Sequence, residues 1–142
     1  MILRHVGITV SDLEEALFFY RDLLGLSVVK IMDEKGQHID AFSNLTDVNV
    51  RTVKLKDSSD AMIELLYYRS HPRRLVMRDI ADIGCSHFAI TVDDLDEILV
   101  RLGNKGYQPC AQPQFSPDGK VKLTFIKGPD NVLIEAVEEL KC

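Results

Sequence analysis

Two short stretches of strict alternation stand out along the chain. In the first, Val6, Ile8 and Val10 take one side of an extended segment and His5, Gly7 and Thr9 the other; in the second, Phe88, Ile90 and Val92 oppose His87, Ala89 and Thr91. A period of two is the pattern of a half-buried strand, so each segment is predicted to turn an apolar face to a helix and to keep a small, polar face that carries a histidine. Directly after each, the period lengthens to that of a helix, with Leu13, Ala16, Leu17, Tyr20 and Leu24 in the first copy and Leu95, Ile98, Leu99 and Leu102 in the second. Ser11 with Glu14 forms the predicted capping box of the first helix, Asp93 is the predicted cap of the second, and Gly25 and Gly103 or Gly106 stand where helices stop.

Three further strands are predicted in each half. They are residues 26–32, 48–55 and 61–68 in the first, and 107–111, 121–127 and 132–138 in the second, where Gly128-Pro129-Asp130-Asn131 reads as a turn. The stretches 33–38 and 56–60 are polar separators, 39–47 fits no single pattern, and 69–84 is a connector with a helical turn expected near Val76 to Ile80. The halves are therefore both β-α-β-β-β, and each is too small to cover both faces of its own sheet. The predicted fold is α+β: two paired βαβββ modules forming a cupped mixed sheet with the helices outside. In this reading residues 1–142 are one domain, made of module 1 (1–68), the connector (69–84) and module 2 (85–142).

The repeat extends to residues that carry chemistry. The segment from His5 to Glu15 returns as His87 to Glu97, and Met62-Ile63-Glu64-Leu65 returns as Leu133-Ile134-Glu135-Ala136. Alternation puts Glu64 on a strand face with Met62, Leu66 and Tyr68, and Glu135 with Leu133 and Val137. A carboxylate among such apolar positions is costly unless it is paired or bound to a metal. One histidine or one glutamate on a strand is ordinarily a solvated or hydrogen-bonded side chain, and the coincidence of all four at equivalent positions is what singles them out. Two imidazoles and two carboxylates suit a borderline divalent ion such as zinc, nickel, cobalt, iron or manganese. His38 and His71 match nothing in the repeat and are read as surface residues. Phe18, Phe19 and Tyr20 are read as core and interface, and Tyr67 and Tyr68 as packed or surface tyrosines, with pocket lining by one of them the alternative.

Composition narrows the field. With 46% hydrophobic and 27% charged residues the chain is neither disordered nor fibrous, and a net charge of −5 argues against a general phosphate-backbone binder. Cys85, Cys110 and Cys142 are odd in number and lack CxxC spacing, so no disulfide framework or thiolate zinc site is expected, and Cys85 and Cys110 are read as buried, inert thiols. No apolar run approaches a membrane span, and charged residues follow the N-terminus too soon for a signal peptide. The expectation is a cytoplasmic protein that engages neither nucleic acid nor membrane. No phosphate-cradling glycine pattern, and so no nucleotide site, is found.

The opening HVGITVSDLEEALFFYRDLLGL, the Ile-Glu strand ends and the second HFAITVDDLDEI resemble the vicinal oxygen chelate superfamily, which includes glyoxalase I, methylmalonyl-CoA epimerase, extradiol dioxygenases, fosfomycin resistance enzymes and bleomycin-binding proteins. The resemblance implies one divalent metal held by His5, Glu64, His87 and Glu135, with Glu64 and Glu135 as the bases. It also implies proton transfer next to a carbonyl of a small substrate through a metal-bound enediolate, as in a glyoxalase I-like lyase or isomerase. An epimerase-like racemase is the alternative, since residues 37–50 resemble an insertion of that group, although Gln is usual there at the position of Glu64. A metal-containing binding or resistance protein and an extradiol dioxygenase are further alternatives. The resemblance also implies a homodimer, with Phe18, Phe19 and the first strand of each module at its interface.

Overall fold

The computed structural model describes residues 1–77 and 79–140; Cys142 lies outside them. The chain divides into two compact units, Met1–Leu75 and Val76–Cys142, and the division falls inside the predicted connector. In unit 1 the elements are β1 (Val6–Thr9), α1 (Leu13–Leu17) continuing as a π-helical segment (Phe18–Leu23), β2 (Ser27–Lys35), α2 (Gln37–Ser43), β3 (Asn49–Lys56) and β4 (Met62–Tyr68). Unit 2 holds β5 (His87–Val92), α3 (Leu95–Gly103), the two-residue β6 (Gln114–Phe115), β7 (Val121–Lys127), a 3-10 turn at Pro129–Asn131 and β8 (Leu133–Glu139). Each unit builds one four-stranded sheet, in the orders β1-β4-β3-β2 and β5-β8-β7-β6. The outer strand of the repeat pairs in parallel with the Glu strand in both, and the other pairings are antiparallel.

Both helices start one residue later than the spacing predicts. Asp12, not Ser11, caps α1, accepting from the Glu15 backbone N–H at 3.0 Å, and Asp94, not Asp93, caps α3, accepting from Glu97 N–H at 2.9 Å. The reason is local: Asp12 and Asp94 are the last extended residues, and a carboxylate there reaches the free amide three residues on. At the other end, Gly25 has φ +82° and lets Leu26 N–H return to Tyr20 C=O at 3.1 Å, closing the helix as expected.

The predicted faces hold. In unit 1 the helix side buries Ile8, Val10, Val53, Leu55, Ile63 and Leu65 together with Ala16, Leu17, Phe19, Tyr20 and Leu23. Phe19 is therefore a core residue and has no surface to offer a partner, whereas Phe18 is exposed. In unit 2 Ile126, Ile134 and Ala136 are buried along with Leu95 and Leu102 of α3. Glu138 accepts from the Leu95 backbone N–H at 3.0 Å, tying β8 to the start of α3.

Four other expectations change. The ambiguous stretch after residue 38 starts within α2, whose Ile39 packs with Val48 and Val50 beside Leu66 and Tyr68. β2 runs three residues past Met32 because Asp33, Glu34 and Lys35 pair with Arg51, Val50 and Asn49. Residues 107–111 form no strand; they contribute one isolated bridge, Pro109 to Ile126, since proline has no N–H with which to continue a ladder. No helix appears among the described residues around Val76 to Ile80, where Arg78 lies outside the description.

Candidate metal centre

The histidine faces of the two sheets carry the predicted residues. Parallel register sets Gly7 beside Glu64 and Ala89 beside Glu135. These are the smallest side chains available next to each carboxylate, so each histidine, two residues earlier, can reach across. His5 Nε2 lies 3.1 Å from Glu64 Oε2, and His87 Nε2 lies 3.3 Å from Glu135 Oε2. The space beside Gly7 is already tight, because a Cβ there would stand 3.3 Å from Leu66 Cδ1.

These separations test the donor set. Two donors bonded to one zinc ion at about 2.0–2.2 Å stand roughly 3–3.5 Å apart when they are neighbours in its coordination shell. Both pairs fall in that range, with unprotonated nitrogen and carboxylate oxygen the natural donors, so the residues fit a divalent metal. Among the described residues, no group of three or more His, Cys, Asp or Glu side chains that could hold a metal ion is found; the contacts come as two separate His–Glu pairs, one in each unit.

The pairs differ in what surrounds them. His87 Nδ1 meets Ser86 Oγ at 2.8 Å, and its ring stands edge-on to Phe125 with centroids 5.0 Å apart. His5 Nδ1 is buried with no hydrogen-bond partner among the described residues. Glu64 has a second neighbour, Lys54 Nζ, 3.5 Å from Oε1, which sequence reasoning missed. Register explains it: Lys54 pairs with Glu64, and at the matching place in unit 2 Phe125 pairs with Glu135. The period-two pattern of residues 48–55 does contain this signal, since it puts Lys54 on the side opposite Val53 and Leu55.

The remaining candidates lie elsewhere. His38 is exposed, but His71 is half-buried, edge-on to Tyr68 and 2.8 Å from Ser70 Oγ. Tyr68 shares the Glu64 face, beside α2, while Tyr67 carries the Arg73 guanidinium 4.4 Å above its ring. Cys85 and Cys110 are both exposed rather than buried, because each sits in a connecting segment outside the sheets.

Residues 2–136 match the family model described as the glyoxalase/bleomycin resistance protein/dioxygenase superfamily. The chain belongs to that superfamily. Similar to this member is a probable lactoylglutathione lyase of Synechocystis, 28% identical over 139 residues, which cover 97% of this chain and 95% of the relative. A lactoylglutathione lyase of Neisseria meningitidis is 25% identical over 142 residues, covering 98% and 91%. Among solved structures, a glyoxalase family protein from Bacillus cereus has the same fold with a TM-score of 0.90 at 23% identity, covering 99% of this chain and 95% of that one. The genomically encoded fosfomycin resistance protein of Listeria monocytogenes shares it at a TM-score of 0.70 and 17% identity, covering 99% and 96%. Among the described residues of this superfamily member, no helix is long and apolar enough to cross a membrane.

Proposed function

We propose that the protein is a divalent-metal-dependent enzyme of the glyoxalase I type, a lyase or isomerase that moves a proton on the carbon next to a carbonyl of a small substrate. The observation that carries this reading is the pair of His–Glu contacts at equivalent strand positions, 3.1 Å and 3.3 Å long. His5, Glu64, His87 and Glu135 are the ligand set of one metal ion, and the similarity to lactoylglutathione lyases supports both the class and the cofactor. When bound, the metal polarises the substrate carbonyl and stabilises negative charge that develops on its oxygen. The chain's own part is to hold the donors in place and to take and return the proton on a glutamate oxygen. Gly7 and Ala89 put the smallest residues beside the two carboxylates, so that each histidine reaches its glutamate. The protein acts as a homodimer in the cytoplasm, through surfaces that include Phe18.

The test is proton exchange in deuterium oxide. Protein loaded in turn with zinc, nickel, cobalt, ferrous or manganous ion is incubated with the glutathione hemithioacetal of methylglyoxal and with acyl-CoA thioesters, and deuterium at carbon is followed by NMR. Metal-dependent incorporation is the expected result. Absence of exchange across the whole panel, with metal demonstrably bound, would overturn the reading. An epimerase-like racemase is the second reading, favoured by α2, which arises within residues 37–50 and contributes Ile39 beside Leu66 and Tyr68 on the Glu64 face. Exchange with a branched acyl-CoA but not with the hemithioacetal would select it.

A further inference from the structure

The register places a single transverse row across the sheet of unit 1: Lys30 opposite Lys54, Lys54 opposite Glu64, and Glu64 beside Gly7. Two ammonium groups facing each other across antiparallel strands disfavour the sheet. Glu64, 3.5 Å away, offsets the charge of Lys54. Lys30 is exposed and makes no ion pair among the described residues.

The ladder does not require a lysine opposite the glutamate. The matching place in unit 2 is filled by Phe125, and that sheet forms the same ladder, with Phe125 opposite Glu135. Nor does metal binding require one, because an ammonium beside a ligand carboxylate competes with the metal for it. Lys54 is mostly covered, its side chain 19% exposed, so its charge is only partly screened by water and gains most from an anion brought to it.

We infer that Lys54, backed by Lys30, is a specificity residue that receives an oxyanion group of the substrate, a carboxylate, phosphate or phosphonate, beside the carbon that reacts. This rests on the metal reading above and narrows it: the substrate is a small acid, with its anionic group lying over β3 toward β2 and its carbonyl toward Glu64. The row has the dimensions for this, since successive cross-strand neighbours stand about 5 Å apart, the span of a two- or three-carbon acid.

The experiment follows the lysine side chains by NMR in protein labelled with carbon-13 at lysine Cε, both zinc-loaded and metal-free, during titration with inorganic phosphate at constant ionic strength. Trimethyl phosphate serves as the neutral counterpart, and acetate and methylphosphonate identify which oxyanion fits. The expected result is a saturable shift of the Lys54 and Lys30 signals with the anions and none with trimethyl phosphate. Lys54→Met should weaken phosphate binding, read at Lys30, by about tenfold or more, the size of a lost charge-assisted contact. Lys54→Arg should retain it, and Lys30→Met, at an exposed site, should weaken it by a smaller factor. An unmoved Lys54 signal, or phosphate affinity unchanged in Lys54→Met, overturns the inference. Zinc binding is measured on the same samples by competition with a chromogenic chelator. Failure of the metal reading therefore appears as zinc not bound, and failure of the anion site as phosphate not bound.

Discussion

Glu64 and Glu135 hold equivalent strand positions yet meet different neighbours. Oε1 of Glu64 is engaged by Lys54 at 3.5 Å while Oε2 faces His5, so both oxygens have partners. Among the described residues the only polar side chain set against Glu135 is that of His87, and Glu135 lies across from the ring of Phe125, which makes no claim on its oxygens. In the proposed reaction, Glu135 is then the expected base and Glu64 the more constrained of the two. Glu135→Gln should keep most zinc affinity, because an amide oxygen still coordinates, and should slow proton exchange by about two to four orders of magnitude, the usual span for loss of a general base. Glu64→Gln should reduce exchange less. Equal losses in the two variants would show that the work is shared. A second residue-scale effect lies at Asp33, whose carboxyl is held well below the usual carboxylate range by hydrogen bonds first from Arg51 and then from Arg69. A depressed native pKa adds stability above the unfolded-state value, about 3.9 for aspartate, and loses it as the pH falls below that. Asp33→Asn should thus melt lower than the parent at neutral pH, with the gap narrowing progressively as the pH falls below about 4. A gap independent of pH would assign the effect to packing.

At the scale of elements, the caps are the clearest test. Asp94 accepts from Glu97 N–H, whereas its neighbour Asp93 has no such role. Asp94→Ala should cost about 1 kcal/mol in denaturant unfolding, and Asp93→Ala should stay within about 0.5 kcal/mol of the parent, as surface changes do. The reverse order would restore Asp93 as the cap. The capping motif was legible in the chain, and its offset by one residue was not, because Ser11 and Asp12, like Asp93 and Asp94, are adjacent residues that can each cap. Strands with one buried face were legible for a physical reason: Ile8 and Val10, or Ile134 and Ala136, are buried at every second position. α2 was illegible because it is a seven-residue helix that buries only Ile39, too little apolar surface to impose a period. β6 failed for a similar reason, being two exposed residues held by pairing to Leu123 and Lys122. In the candidate site, the His and Glu positions were legible because the repeat marks them twice. Lys54 was not, because its counterpart is Phe125 and the repeat therefore conceals it.

For the whole molecule, the proposal that four donors drawn from both repeats serve one ion makes a statement about stoichiometry. Repetition alone is equally compatible with two separate sites, each built on one His–Glu contact. Such two-donor sites would bind weakly and independently, whereas a shared site binds once and depends on both repeats. Titration of metal-free protein with zinc, read by calorimetry and by elemental analysis after gel filtration, should give one ion per chain. His5→Ala and His87→Ala should each weaken that same event, and by more than the roughly 10–100-fold typical of losing a group that only supports a ligand. Ser86→Ala, which removes the contact to His87 Nδ1 at 2.8 Å, should weaken it by about tenfold. Two ions per chain, with His5→Ala removing one and leaving the other untouched, would show that the repeats act separately and would end the four-donor proposal.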